Sequence, residues 1–319
     1  MLSGWRAVAL ENDLLRVVIL PEKGADIVEL TDKESGVDPL FKAPWGLRPP
    51  GSVPREGWEG HEFLANYEGG WQELFPNAND PADYRGETIP FHGEVATLPW
   101  DCREEGAVLR LTVRCRQTPF RLERLMRLEG RQLVLEERVT NESEEPAHFV
   151  WGHHCVVGPP FLEAGCRLRV PAGTLETIPE LWEETARLAP GRRSAWPHAR
   201  LRDGETVDLS LVPGPEARSH DDVYLTDLAA GSAAVLNPRL GLEFRLDWDP
   251  RVFRWVISWQ PYGGAEAMPL RGSYALGIEP WVSRLDLEHA VAKGEAIELS
   301  GGETFETIIR AGMSGVRSG

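Results

Sequence analysis

Apolar and polar residues alternate in short runs along most of the chain, and turn residues separate the runs. Residues 7–10, the turn Glu11-Asn12-Asp13 and residues 14–20 predict a hairpin. Residues 120–128, Glu129-Gly130 and 131–140 predict a second. A third spans 232–236, the turn Asn237-Pro238-Arg239 and 242–248, and a fourth spans 296–299, Gly301-Gly302 and 304–310. Strands rich in Val, Leu and Thr, repeated this often between turns, predict an all-β sandwich or barrel of antiparallel strands. Only 179–188 and 283–293 predict helices. Both are too short to serve as crossovers, which argues against a parallel α/β sheet. Residues 43–99 break the pattern. They are rich in Gly, Pro, Asn and aromatics, including Trp58, Phe63, Tyr67, Trp71, Phe75, Tyr84 and Phe91. So aromatic a loop is predicted to pack over the sheets and wall a cleft.

Composition narrows the function classes. An all-β chain of 319 residues can stay as one unit, and with no linker, repeat or low-complexity tract the expectation is a single domain over 1–319. The formal net charge is −16, a field that repels nucleic acid and anionic membranes. The start Met1-Leu2-Ser3-Gly4-Trp5-Arg6 has no basic segment leading into an apolar run, and no stretch approaches a membrane span, so the cytoplasm is expected. The four cysteines, Cys102, Cys115, Cys155 and Cys166, lack C-x-x-C spacing and are expected as free thiols. No phosphate loop, dinucleotide fingerprint or serine nucleophile elbow occurs. His61-Glu62 starts like a zinc-protease helix, but Ala65 replaces the second His. Twelve tryptophans offer flat apolar faces on which a sugar ring can stack, although most are expected in the core.

Four segments combine polar groups with aromatics. Gly69-Gly70-Trp71-Gln72-Glu73-Leu74-Phe75-Pro76-Asn77 carries amides that both donate and accept, which suits hydroxyl recognition. In Pro90-Phe91-His92-Gly93, Gly93 lets the backbone turn sharply after His92. Phe149-Val150-Trp151-Gly152-His153-His154-Cys155 reads as a strand, so the two histidines face opposite sides. His153 shares its side with Phe149, Trp151 and Cys155, an apolar layer. His154 shares its side with Gly152, read as space for a ligand. In Leu276-Gly277-Ile278-Glu279-Pro280-Trp281, a carboxylate on an apolar strand needs a partner or a raised pKa, the condition for a general base.

In this order, the four segments resemble the aldose 1-epimerase (mutarotase) superfamily. The opening Leu15-Arg16-Val17-Val18-Ile19-Leu20-Pro21 is similar to that family's opening strand and Pro turn, and His92-Gly93 with Leu98-Pro99-Trp100 to its first His-Gly block. The resemblance implies a β-supersandwich with few short helices, no cofactor and no metal. It implies an enzyme interconverting the α and β anomers of an uncharged small-molecule carbohydrate. His154 would be the acid and Glu279 the base of ring opening, with His153 as the alternative acid. His92, Asn77, Asp221 (or its neighbour Asp222), His153 and Trp259 would bind the sugar. The chain departs from the family where His153 precedes the acid and Cys155-Val156-Val157 follow it, and where Asp80 follows Asn79. Other readings are a hexose-6-phosphate epimerase using Arg85 or Arg121, a sugar-binding protein without catalysis, and a two-carboxylate glycosidase pairing Glu94 with Glu279. Nothing in the residues sets the oligomeric state.

Overall fold

Two antiparallel sheets carry the chain in the computed structural model, which describes residues 1–52 and 62–316. Trp58 and His61 lie outside the described residues. The larger sheet has eleven strands in the order Val8–Glu11, Leu15–Leu20, Asp26–Asp32, Trp71–Leu74, Gly152–Val157, Glu279–Trp281, Trp255–Tyr262, Ser219–Leu228, Ala172–Thr177 and Arg193–Ala195, with Leu276–Gly277 also paired to Gly152–Val157. The smaller has eight: Arg167–Arg169, Ser232–Asn237, Leu242–Asp247, Thr304–Gly315, Gln132–Asn141, Phe120–Glu129, Val108–Arg114 and Asp101–Glu105. This is the all-β, antiparallel architecture the patterning predicts, in the supersandwich form the resemblance implies. Two α-helices, Glu62–Asn66 and Leu287–Lys293, are described, and neither is long and apolar enough to cross a membrane.

The alternation explains the layers. Phe120–Glu129 buries every second residue from Phe120 to Met126 against the larger sheet and leaves its arginines and Glu123 at the outer side, apart from Arg124. Phe75, Phe120, Phe149 and Trp151 meet between the sheets with ring centroids 5.1–6.1 Å apart. Fully burying side chains of this size contributes roughly 1.5–3 kcal/mol each. Gly152–Val157 lies mid-sheet with all six residues buried, and its adjacent histidines put one polar side chain on each face, each of which needs partners.

Three of the four predicted hairpins form as read. The fourth does not. Ile297–Leu299 pairs with Ala147–Phe149, whereas Thr304–Gly315 crosses to pair with Gln132–Asn141 and Leu242–Asp247. The turn at Gly301-Gly302 therefore passes the chain from a two-stranded ribbon into the smaller sheet. The 283–293 helix forms over Leu287–Lys293, capped by Asp286 and by Gly294 in the left-handed region. No helix forms at 179–188. The backbone N–H groups of Arg187 and Leu188 donate to the Asp221 carboxylate instead of to a preceding turn.

Candidate active site

One face of the larger sheet carries a row of polar side chains across five strands. Strand register sets the row: His154 lies opposite Gln72, Gly152 opposite Trp281, Ile257 opposite Glu279, and Trp259 opposite Asp222. His154 Nε2 and Glu279 Oε1 are 3.8 Å apart, too far for a direct hydrogen bond, and both residues are buried. Two glycines make room for the arrangement. A Cβ at Gly277 would lie 2.3 Å from Glu279 Oε1, and one at Gly152 would lie 2.8 Å from Trp281 Cδ1. The space beside Gly152 is therefore filled by the Trp281 indole, which corrects its reading as a gap for ligand.

Buried polar atoms without hydrogen-bond partners gather on this face: Tyr67 Oη, Gln72 Oε1, His154 Nδ1, Asp222 Oδ1, Glu279 Oε1 and Trp281 Nε1. Such atoms are uncommon in folded proteins, because each keeps the cost of leaving water without a compensating bond. Aromatic side chains enclose them. Around the His154 ring stand Tyr67 at 5.1 Å, Phe63 at 5.5 Å, His92 at 5.6 Å and Trp259 at 6.1 Å between centroids. His92 reaches this group from a left-handed backbone (φ 61°), and Gly93 at φ 77° lets the chain approach Phe75 too closely for any Cβ. His92 Nδ1 donates to the Ala78 carbonyl at 2.6 Å.

Trp259 is held from behind. Its indole N–H donates to His220 Nε2 at 2.7 Å, so the His220 proton sits on Nδ1, which faces Glu183 Oε2 at 2.6 Å. Glu183 also accepts from the N–H groups of Glu266 and Ala267. Burial would raise the Glu183 carboxyl, but His220 and these donors hold it below the ordinary range. With its N–H committed inward, Trp259 presents its ring to the site.

Burial dominates the electrostatics. It pushes His154 down to about 3. It pushes Glu279 well above the ordinary carboxylate range, with Asp222 adding to the rise. Asp222 is raised as well, by burial and then by Asp221. In this dry setting the pair rests as carboxylic acid and neutral imidazole: one proton to give and one lone pair to receive.

The remaining candidates divide sharply. Asn77 does not face the row. Its Nδ2 donates to the carbonyls of Asn79, Asp80 and Pro90 and its Oδ1 accepts from Leu287 N–H, so it ties the loop to the C-terminal helix. Asp221 is taken by Arg187 and by the N–H of Leu188, and strand parity turns it away from Glu279, leaving Asp222 on the row. His153 faces between the sheets. Trp71 N–H donates to its Nδ1 at 3.1 Å, and its Nε2 lies 3.2 Å from Glu137. Glu73, Glu137 and His153 bring ligand-capable atoms within 4.8 Å of one another, but the Arg124 guanidinium already donates to both carboxylates there. That cluster is an ion-paired element of the core. Glu94 is bound by the N–H groups of Arg116 and Gln117 and by the Thr118 hydroxyl. Arg121 pairs with Glu142 in the smaller sheet, and Arg85 is exposed and donates to the Pro146 carbonyl. Tyr67, Gln72 and Trp281 were not singled out from the sequence as site residues. Parity could have found Gln72, which sits opposite His154. Tyr67 comes from the aperiodic aromatic loop, and its one signal is that loop's expected place over the cleft.

A family model described as a domain of unknown function, DUF4432, matches residues 2–312. Comparison with curated protein sequences gives no match. Among solved structures, the Slr1438 protein of Synechocystis sp. PCC 6803 is 18% identical with a TM-score of 0.70, over 98% of this chain and 97% of its own. A galactose mutarotase related enzyme of Lactobacillus acidophilus is 17% identical with a TM-score of 0.69, over 98% and 100%. The GalM/aldose epimerase homologue of C. elegans is 13% identical with a TM-score of 0.64, over 98% and 100%. The chain thus belongs to the DUF4432 family, and its fold is the galactose mutarotase-like β-supersandwich.

Proposed function

We propose that the protein is an aldose 1-epimerase-type isomerase that interconverts the anomers of an uncharged sugar, with His154 and Glu279 as its acid–base pair. The observation that carries this reading is the pair itself: two buried, oppositely perturbed groups 3.8 Å apart across a face lined with unpartnered polar atoms. Anomer exchange needs one group to give a proton to the ring oxygen while another takes one from the anomeric hydroxyl. Those two oxygens share one carbon, so the two groups must stand close together. The resemblance assigned the acid to His154 and the base to Glu279. The burial of both groups favours the opposite start, with the proton on Glu279 and the lone pair on His154. The roles exchange when the ring closes on its other face, so either direction of travel uses the same two groups. Trp259 supplies a face for the apolar side of the sugar, and Asp222 and Gln72 accept from its hydroxyls. The low likeness to mutarotase-related structures supports the same class.

Polarimetry of freshly dissolved aldoses tests the reading. Wild type should speed mutarotation of at least one aldose, and His154→Ala and Glu279→Gln should each lower that rate by at least ~10²-fold, the scale of general acid–base catalysis. Equal rates for wild type and both variants would leave a sugar-binding protein without this chemistry.

A further inference from the structure

We propose that Tyr67 is a third catalytic group at this site, its phenol donating a hydrogen bond to the anomeric oxygen of the sugar as that oxygen loses its proton. The proposal rests on the epimerase reading and adds a residue to it. Tyr67 is 2% exposed and its hydroxyl has no partner. A hydroxyl buried in this way is a liability in the empty protein unless a ligand satisfies it. The ring is fixed in place. It follows the short helix Glu62–Asn66, its carbonyl accepts from the Trp45 indole at 2.7 Å, and its ring stacks on Phe63 at 5.7 Å. It stands edge-on to His154 at 5.1 Å and to Trp259 at 6.5 Å, so it lines the space above the acid–base pair. Burial holds the phenol protonated, and any charge on Glu279 would hold it so further. It can therefore donate without giving up its proton.

The step balances without it as a proton carrier. The base takes the proton from the anomeric hydroxyl, and the C–O bond of the carbonyl gains its second pair. The bond from that carbon to the ring oxygen breaks, and the ring oxygen takes the electron pair and then the proton of the acid. Negative charge gathers on the anomeric oxygen at the start, where the phenol would meet it.

The test is Tyr67→Phe, which keeps the ring and removes only the hydroxyl. On the aldose that wild type turns over fastest, kcat should fall by ~10²–10³-fold, the loss seen when one oxyanion donor is removed, with KM changed far less. The thermal midpoint should stay level or rise, because an unsatisfied buried hydroxyl is gone. An active wild type with an equally active Tyr67→Phe overturns this proposal alone. A rate loss that comes with a lowered thermal midpoint assigns Tyr67 a packing role and also overturns it. A wild type inactive on every aldose overturns the epimerase reading and this proposal together.

Discussion

His154 and Glu279 show how burial selects a protonation state. A histidine in water titrates near 6.5, and a glutamate near 4.5. At this site burial drives the first down to about 3 and the second well up, so their order is inverted. The working form is the pair holding one proton, whichever atom carries it. A pH–rate profile reports the pair, because the two groups titrate together. Rate should be lost on the acid side when a second proton binds the pair, as pH falls through about 3. It should be lost on the alkaline side when the single proton leaves, as pH rises through the raised value of Glu279. We predict that kcat/KM stays level from pH 7 down to ~pH 4. An acid limb centred near 6.5 would mean that His154 is solvated in the working enzyme and that its burial in the empty protein misleads. Asp222 acts in the same direction, since its charge would further oppose ionisation of Glu279.

The strand Gly152–Val157 is the element in which fold and site meet. Its two-residue period puts His154 on the site face and His153 on the face between the sheets, so adjacent histidines do unrelated work. That division was legible in the sequence because strand parity can be counted there, and His92 and Glu279 stand out because each sits in a short motif, His92 in a turn before Gly93 and Glu279 on an apolar strand. The partners across the strands were not legible. Nothing in the spacing of Glu73, Arg124 and Glu137 announces that two sheets will bring them onto His153. Asn77 and Asp221 misled for the converse reason: their segments reach the site region, but loop and strand contacts consume their polar atoms. Arg124 is the cation of the buried cluster, bonded to Glu73, to Glu137 at 2.8 Å and to the Ala25 carbonyl at 3.1 Å. Burial alone would lower the His153 pKa, and Glu73 and Glu137 more than offset it. The Arg124 charge opposes that rise. Replacing Arg124 with Met leaves two carboxylates facing each other in the core. Breaking a buried pair in this way costs about 3–5 kcal/mol, which urea unfolding should register. A loss below ~1 kcal/mol, the level of an exposed ion pair, would show that the cluster rearranges or neutralises itself.

Across the whole molecule, charge of the same sign is stored at two depths. The surface carries most of the net −16. Beside the site row, the buried group Lys23, Asp26 and Glu68 holds one lysine against two carboxylates, with both N···O contacts at 2.5 Å. Gln72 and Tyr67 face the same group from the next strand and the loop, and through Gln72 it adjoins His154. One cation cannot balance two buried anions, so a proton is retained. Burial raises Glu68 first, Lys23 opposes the rise and Asp26 adds to it, leaving the carboxyl at about 8. In the unfolded chain it would titrate near 4.5. Between those values the folded protein keeps a proton that the unfolded chain has released, so folding loses free energy as pH rises from about 4.5 to about 8. The contribution is fully present below 4.5 and gone above 8. Glu68→Gln mimics the protonated acid at every pH and leaves Lys23 and Asp26 as a matched pair. Its stability should therefore fall less steeply than that of wild type between pH 5 and pH 8. One pKa unit corresponds to about 1.4 kcal/mol, so the two urea midpoints should separate clearly by pH 8, with the variant the more stable. Glu279, Asp222 and Glu73 are raised in the same direction in both proteins, whereas Asp26 is raised by burial and titrates together with Glu68, so the difference between the slopes reports the Asp26–Glu68 pair. Parallel slopes would mean that water reaches the group and that its three charges are balanced from outside the fold.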